Sequence, residues 1–215
     1  MLLREWREGG HLFDQSAVEA AIETLEAFRA RFSQTQLLAR VRIGAEGMAR
    51  RRVSTVEATQ RTKRTERIVG KLVRLPSMKL SRMEDIVGCR LVVDGLADLR
   101  AVVQCLDDQW GDAIVRRHDY VADPKTTGYR AYHLVVRRDD LPVEVQVRTS
   151  NQHFWARTVE AEETRTGMLL KDGIGPESML RPFRAGALAL AEVDSGAIRS
   201  EVEFNRRYAA ILRET

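Results

Sequence analysis

The segment Val143-Glu144-Val145-Gln146-Val147-Arg148 sorts its side chains completely by type. Successive strand residues point to opposite faces, so three valines face one way and Glu144, Gln146 and Arg148 the other. A carboxylate, an amide and a guanidinium on one rigid stripe can orient and charge-match a polar substrate; an edge strand with a wet face shows the same pattern. Asp85 stands just before the apolar run Ile86-Val87, and Gly88 permits close backbone approach ahead of Arg90. Asp85 and Glu144, two carboxylates on rigid elements, could hold a hard cation through oxygen ligands. An aspartate before a strand is also a common turn residue.

A second group of residues suits anions. Lys125-Thr126-Thr127-Gly128-Tyr129-Arg130-Ala131-Tyr132-His133 sets aromatic rings, cations and an imidazole around one glycine-bearing loop. A tyrosine projecting from such a loop offers a flat surface to a purine, with Lys125 and Arg130 near enough for its phosphates; the alternative is a loop whose tyrosine packs on the core. Arg61, Lys63, Arg64, Arg67 and Lys71 form a basic run. The formal charge of +4, carried mainly by arginine, fits an anionic partner or simply a solvated basic surface.

These residues need elements to position them. Val18, Ala21, Ile22, Leu25, Phe28 and Phe32 recur at helical spacing and predict a helix over about 16–32, with Asp14 and Ser16 as cap candidates. The basic run predicts a second helix over about 53–72. Cys89-Arg90-Leu91-Val92-Val93 reads as a buried strand, Leu96 to Leu106 as a helix against the sheet, and Ala113 to Val115 as the start of another strand. Asp123 to Gly128 is a loop; strands follow over Ala131 to Arg137 and Val143 to Thr149, joined by Asp139-Asp140-Leu141-Pro142 as a hairpin turn. Helices over about 151–164, 178–193 and 198–212 complete an α+β fold, a mixed sheet flanked by helices at both ends of the chain.

At 215 residues, 44% apolar and 31% charged, the chain can bury a core as one domain. It divides into an N-terminal helical extension over 1–40, a core over 41–160 and C-terminal helices over 161–215. No apolar stretch nears the roughly 20 residues a membrane span needs, and Met1 to Trp6 does not open as a secretory signal. A cytoplasmic protein is expected. Cys89 and Cys105 sit in apolar patterns as buried thiols rather than a disulfide framework, and His11, His118, His133 and His153 lack zinc-ligand spacing.

The joint order is the discriminating feature: a basic segment, Asp-Ile-Val-Gly-Cys-Arg, Pro-Lys-Thr-Thr-Gly-Tyr-Arg-Ala-Tyr-His, Glu-Val-Gln-Val-Arg-Thr, then Phe-Trp-Ala. Over about residues 40–160 this resembles the synthetase domain of the RelA/SpoT alarmone synthetases, which has a nucleotidyltransferase-like fold. The resemblance implies a magnesium-dependent pyrophosphokinase that moves the β,γ-pyrophosphate of ATP to a ribose 3′ hydroxyl and releases AMP. Arg61, Lys63 and Lys71 would then grip the ATP phosphates, Arg90 would lie beside the donor, and Asp85 and Glu144 would be catalytic and hold Mg2+. Glu144 would also activate the attacking hydroxyl. Tyr129 would stack on the acceptor base, Lys125, Arg130 and His133 would contact acceptor phosphates, and Gln146 and Arg148 would shape the site.

The segments 83–90 and 152–160 look more like the toxic small synthetases of phages and toxin-antitoxin pairs. Two acceptors therefore stay open, a guanine nucleotide giving (p)ppGpp or a tRNA 3′ CCA end, the latter slightly favoured because Arg50-Arg51-Arg52 and Arg116-Arg117 exceed what one nucleotide can engage. An antitoxin partner and an oligomer are compatible with that branch. The chain departs from the family at Arg67, Thr127 and Ala131. A hydrolase domain is not expected. The alternative reading is a catalytically silent nucleotide- or RNA-binding module on the same fold, against which the retained Asp85 and Glu144 argue.

Overall fold

The computed structural model describes residues 15–33 and 36–214. The segment before α1, with the cap candidate Asp14 and with His11, lies outside them. α1 (Gln15–Ser33) and α2 (Leu37–Ala49) lead into β1 (Glu57–Thr62), α3 (Thr65–Arg74), β2 (Val87–Val93) and α4 (Leu96–Trp110). β3 (Ile114–Asp119), β4 (Tyr132–Arg138) and β5 (Leu141–Thr149) follow, then α5 (Ser150–Thr166), α6 (Glu177–Asp194) and α7 (Glu201–Glu214). The strands form one mixed sheet in the order β1-β2-β5-β4-β3, with β2 and β5 parallel and the other pairs antiparallel.

The two sheet faces differ because the strands alternate. Cys89, Leu91, Val93, Val143, Val145, Val147, Leu134 and Val136 point to one side and pack on α2 and α4 through Val41, Ala45, Leu99, Val102 and Leu106. Burial of this branched apolar set is the main stabilising term, at roughly 1.5–3 kcal/mol per side chain. The other face carries the polar partners of those residues and is roofed by α5, which packs on β5 and β2, and by α6 behind it. No helix among the described residues is long and apolar enough to cross a membrane.

Two expected elements take other forms, and one element was not expected. The helix expected over 53–72 divides into β1 and α3. Thr55, Thr59 and Thr62 are stiff β-branched residues, Val56 is buried and Ala58 half-buried at alternate positions, and the backbone of β2 offers six pairing positions. Arg61 is therefore on a strand, and only Arg67 and Lys71 of the basic run are helical. Residues 37–49, to which the sequence reading gives no element, form α2, with Leu37, Val41, Ala45 and Ala49 buried at four-residue spacing. The hairpin turn contracts to Asp139 and Asp140, both left-handed with φ of 50° and 60°, the backbone of a two-residue turn matched to strand twist. Leu141 and Pro142 already belong to β5.

A capping box joins β5 to the roof. The Thr149 hydroxyl accepts from the Gln152 backbone N–H at 3.1 Å, and the Gln152 side-chain oxygen accepts from the Thr149 N–H at 3.2 Å. Thr149 Oγ1 and Asn151 Nδ2 both donate to Asp194, at 2.7 Å and 2.9 Å, which fixes the end of α6 to the start of α5.

Candidate active site

Register brings the expected residues onto one face. Arg61, Gly88, Glu144 and Val135 are successive neighbours across β1, β2, β5 and β4. Thr59, Arg90, Gln146 and His133 form the next row, and Arg148 lies beyond them opposite Val92. Gly88 is small because a Cβ there would stand 2.9 Å from the carbonyl oxygen of Glu144 and 3.4 Å from its Cβ. The gap lets the Arg61 guanidinium act on Glu144 across β2.

Five of these side chains close a hydrogen-bonded ring whose direction is fixed by chemistry. Arg148 can only donate; its Nη2 reaches the Tyr129 hydroxyl at 2.6 Å and Gln146 Oε1 at 2.7 Å. Gln146 Nε2 donates to Glu144 Oε2 at 2.6 Å. On the other arm the Tyr129 hydroxyl lies 2.7 Å from His133 Nε2, and His133 Nδ1 lies 2.8 Å from Glu144 Oε1. With Glu144 ionised, His133 donates through Nδ1, leaving Nε2 to accept the tyrosine proton. Both arms thus run from Arg148 to Glu144, and a neutral His133 matches a donor to an acceptor at every link of the ring.

The electrostatics agree. Burial alone would raise the Glu144 carboxyl, but the hydrogen bond from His133, the Gln146 amide and the Arg61 guanidinium bring it down to about 2. Burial also depresses His133, outweighing the pull of Glu144, which keeps the imidazole neutral. Arg90 is pushed down to about 10, first by burial and then by Arg148.

Asp85 is the hub of a second cluster where the chain enters β2. Lys63 Nζ lies 2.5 Å from its Oδ2, and Lys71 Nζ lies 3.0 Å from Oδ2 and 3.1 Å from Oδ1. Burial opposes its ionisation, but the two ammonium groups hold the carboxyl below its ordinary range. The Lys63 ammonium is itself lowered, by burial first, against the pull of Asp85. Lys63 and Lys71 thus converge on Asp85.

The loop residues are placed differently from the expectation. Tyr129 is 6% exposed, packed with Trp155, Ala131, Leu170 and Ala187, so its ring presents no open face to a base in this structure. Gly128 explains the burial: its φ is +90°, and a Cβ would meet that of Ala187 at 2.5 Å, so only glycine lets the loop sit against α6. The half-buried, more accessible ring beside it is Tyr120, which stacks on His118 at 5.5 Å. Lys125 Nζ lies over the rings of Tyr120 and Tyr129 at 5.1 Å and 5.3 Å. Arg130 turns to α6, donating to the carbonyls of Gly128 and Ala187, both at 3.3 Å.

Tyr129→Phe tests the ring. Arg148 is 2% exposed, and its Nε and Nη1 have no hydrogen-bond partner. Removing the tyrosine hydroxyl takes away one of its two side-chain acceptors and the donor to His133. The expected loss of stability is about 1–3 kcal/mol in denaturant unfolding, although the aromatic ring is retained. An unchanged midpoint would show that the hydroxyl is not held as described.

Sequence reasoning predicted the roof helices but missed the charged groups they bring to the site. Lys171, just past α5, forms an ion pair with Glu160, and its ammonium lies 5.9 Å from the Tyr129 ring centroid. Burial pushes it down to about 8 against the attraction of Glu160. Glu163, 5% exposed, accepts from the Lys171 backbone N–H at 2.9 Å and pairs with Arg67 at 3.3 Å. Glu160 and Glu163 stand three apart on a helix and share a face, the one signal available beforehand. The departure at Arg67 is accounted for by this pairing. The arginines set aside for a polyanion are largely engaged: Arg50 with Glu46 at 2.7 Å, Arg116 with Glu84 at 3.0 Å and Arg117 with Asp107 at 2.6 Å.

Among the described residues no three His, Cys, Asp or Glu converge to hold a metal. Magnesium does not require them, because it is commonly held by one or two carboxylates with phosphates and water. Asp85 and Glu144 are ionised oxygen donors of the kind it takes, and each holds its oxygens on protein partners, the two lysines for Asp85 and His133 with Gln146 for Glu144.

Residues 60–164 match the region found in RelA / SpoT proteins. The chain is 34% identical over 94 residues to the GTP pyrophosphokinase YjbM of Bacillus subtilis (strain 168), covering 40% of this chain and 44% of that protein. It is also 34% identical over 110 residues to the GTP pyrophosphokinase YwaC of the same organism, covering 45% and 52%. The chain thus spans about half the length, or less, of the curated relatives it matches. In fold it resembles the small alarmone synthetase 1 from Bacillus subtilis bound to its product pppGpp, with a TM-score of 0.66 at 24% identity, covering 81% of this chain and 95% of that one. A GTP pyrophosphokinase family protein from Streptococcus pneumoniae gives 0.61 at 23% identity, covering 81% and 92%. The α+β architecture with a mixed sheet is the fold of these synthetases.

Proposed function

We propose that this chain, which carries a RelA/SpoT-family synthetase domain, transfers the β,γ-pyrophosphate of ATP to the ribose 3′ hydroxyl of a guanine nucleotide. The observation that carries this reading is the ionised Glu144, held by the Arg148 ring and flanked across Gly88 by Arg61. A phosphate-binding face has little use for a carboxylate held in its charged form unless that carboxylate orients a hydroxyl or a cation. The guanine acceptor is favoured by the kinship with the two GTP pyrophosphokinases. The tRNA end has no comparable support among the relatives.

In this reading Lys63, Lys71 and Arg61 bind the ATP phosphates, and Arg90 lies beside the donor. Asp85 and Glu144 hold magnesium, which when bound offsets the charge of the triphosphate. The acceptor 3′ oxygen forms a bond to the β-phosphorus while the bond from that phosphorus to the α,β-bridging oxygen breaks, and AMP leaves with the electron pair. Glu144 accepts the hydrogen bond of the attacking hydroxyl and receives its proton. At about 2 its carboxyl is a weak base, but phosphoryl transfer through a loose transition state asks more for positioning and charge stabilisation than for early proton removal.

ATP labelled at the γ-phosphate, incubated with GDP, GTP, deacylated tRNA and tRNA lacking its terminal adenosine, tests the proposal. Label on GDP or GTP with equimolar AMP is expected. Label on intact tRNA alone would move the acceptor to the 3′ CCA end, and no label on any acceptor would favour the silent binding module.

A further inference from the structure

The connection from α5 to α6 is a short segment closed on itself. Leu169 and Ile174 exchange two backbone hydrogen bonds, at 3.2 Å and 3.0 Å, around a single tight helical turn over Leu170–Asp172. Leu170 is buried in one cluster with Tyr129, Ala131 and Trp155. On one side the segment is tied to α3, the helix that carries Lys71. The buried Glu163 carboxylate accepts from the Lys171 backbone N–H at 2.9 Å and from Arg67 Nη2 at 3.3 Å, and Asp172 pairs with Arg74 at 2.9 Å. On the other side it meets the loop 124–130, where the Thr127 hydroxyl donates to the Lys171 carbonyl at 3.3 Å. We propose that residues 168–175 form a strap that couples the two halves of the site, so that a nucleotide ordering α3 also orders the loop 124–130, with Glu163 as the positioning residue. That the halves bind donor and acceptor rests on the function proposed above; the link between α3 and the loop does not.

Two of these ties are made by Arg67 and Thr127, positions at which the chain departs from the family pattern, and the third departure, Ala131, lies in the buried cluster of Leu170. Changes scattered over separate motifs thus converge on one segment. The strap can transmit order because its ends are held locally: two backbone bonds close the turn, and Glu163 grips it through a backbone N–H. Arg67 and Lys71 are four apart on α3 and share a face. A phosphate held by Lys71 therefore steadies the same stretch of helix that Glu163 grips through Arg67. Fixing α3 lowers the entropy still to be lost when the loop is ordered, which makes the coupling positive. The Arg74–Asp172 pair is partly exposed at both ends and contributes less than the pair at the buried Glu163. A connection that merely packed would make the same contacts, but the loop would not respond to a ligand on α3.

Backbone hydrogen exchange of the full chain, with and without a saturating non-hydrolysable ATP analogue, tests the strap in the wild type, Glu163→Gln, Arg67→Gln and Thr127→Val. Glu163→Gln keeps an acceptor for the Lys171 N–H but loses the charge that holds Arg67, so it frees the strap from α3 without opening the turn. Arg67→Gln cuts the same pair from its exposed side, which guards against a folding defect at the buried Glu163, and Thr127→Val cuts the other end. The analogue is expected to slow exchange across the loop 124–130 at least about fivefold in the wild type and less than about twofold in each variant. Thr127→Ser, which keeps the hydroxyl, should restore the protection, and Glu163→Gln combined with Thr127→Val should lose no more than either alone, because one cut already breaks the link. By reciprocity the wild type should bind GDP more tightly by a similar factor when the analogue is present. Without any nucleotide, Glu163→Gln should already speed exchange across the loop several-fold. Loop protection that survives in both Glu163→Gln and Arg67→Gln overturns the strap, as does faster loop exchange on adding the analogue to the wild type, or ligand-free loop exchange that ignores Glu163→Gln. Strap-dependent protection without transfer to any guanine nucleotide would keep the strap and sink the enzymatic reading; transfer to GDP by a wild type whose loop the analogue leaves unprotected would do the reverse.

Discussion

Glu144→Gln is expected to lower pyrophosphate transfer at least about 10²-fold, mainly in kcat, and to destabilise the fold modestly. Glu144 serves only as an acceptor, from His133 Nδ1 on one oxygen and Gln146 Nε2 on the other. A glutamine offers one acceptor and one donor. If its oxygen faces His133, its amide faces the Gln146 amide, and Gln146 cannot turn over without presenting that amide to Arg148, which can only donate. One buried donor is therefore left without an acceptor, at a cost of about 1–3 kcal/mol. The pH dependence has a definite sign. The Glu144 carboxyl is depressed to about 2 in the folded protein, so its contribution is present above the unfolded carboxyl range and is lost as pH falls from about 5 toward about 2. Unfolding midpoints of the wild type and variant should approach each other on acidification, while transfer at neutral pH separates them. Near-normal transfer by Glu144→Gln at saturating magnesium would remove Glu144 from the chemistry.

The strand carrying Glu144 was legible because its alternation is complete; valines on one side and polar groups on the other allow few other environments. The buried strand β2 was readable from its apolar run, and helix α4 from apolar residues at three- and four-residue steps. β1 was not, because a short exposed edge strand takes its stability from the backbone it pairs with, and the basic residues around Arg61 carry no apolar period to mark it. The capping box at Thr149 and Gln152 was present in the sequence as Thr-x-x-Gln, and it is what places α5 over the polar face. Side-chain occupancy was less accessible. Whether Tyr129 faces a ligand or the core depends on how closely α6 approaches Gly128, a long-range contact with Ala187 that local pattern cannot supply. Likewise Lys63, Lys71 and Asp85 could be named one by one, but their mutual pairing depends on the return of β2 beside β1 and α3.

That pairing yields the second large effect. Asp85→Asn is expected to abolish most turnover and, in metal-free buffer, to tighten ATP binding. Asp85 holds the ammonium groups of both Lys63 and Lys71, at 2.5 Å and 3.0 Å. In the proposed reading those same cations grip the triphosphate, so in the nucleotide-free protein Asp85 competes for them, and ATP must displace it before Asp85 can turn to magnesium. The asparagine has nearly the same shape but no charge, so it frees two cations for the phosphates and forfeits a magnesium ligand. ATP affinity without magnesium should rise several-fold, transfer with magnesium should fall at least about 10²-fold, and the gain in ATP affinity that magnesium gives the wild type should shrink. Stability without nucleotide moves the other way: two largely enclosed cations lose their counter-ion, burial already depresses Lys63, and like charges are left facing each other. Asp85→Asn should therefore unfold at lower denaturant than the wild type when empty and recover more than the wild type on adding ATP. Calorimetric titration of ATP with and without magnesium, paired with denaturant unfolding in the same buffers, measures all of these. A variant that binds ATP more weakly in metal-free buffer would mean that Asp85 contributes to the donor site directly instead of holding its lysines.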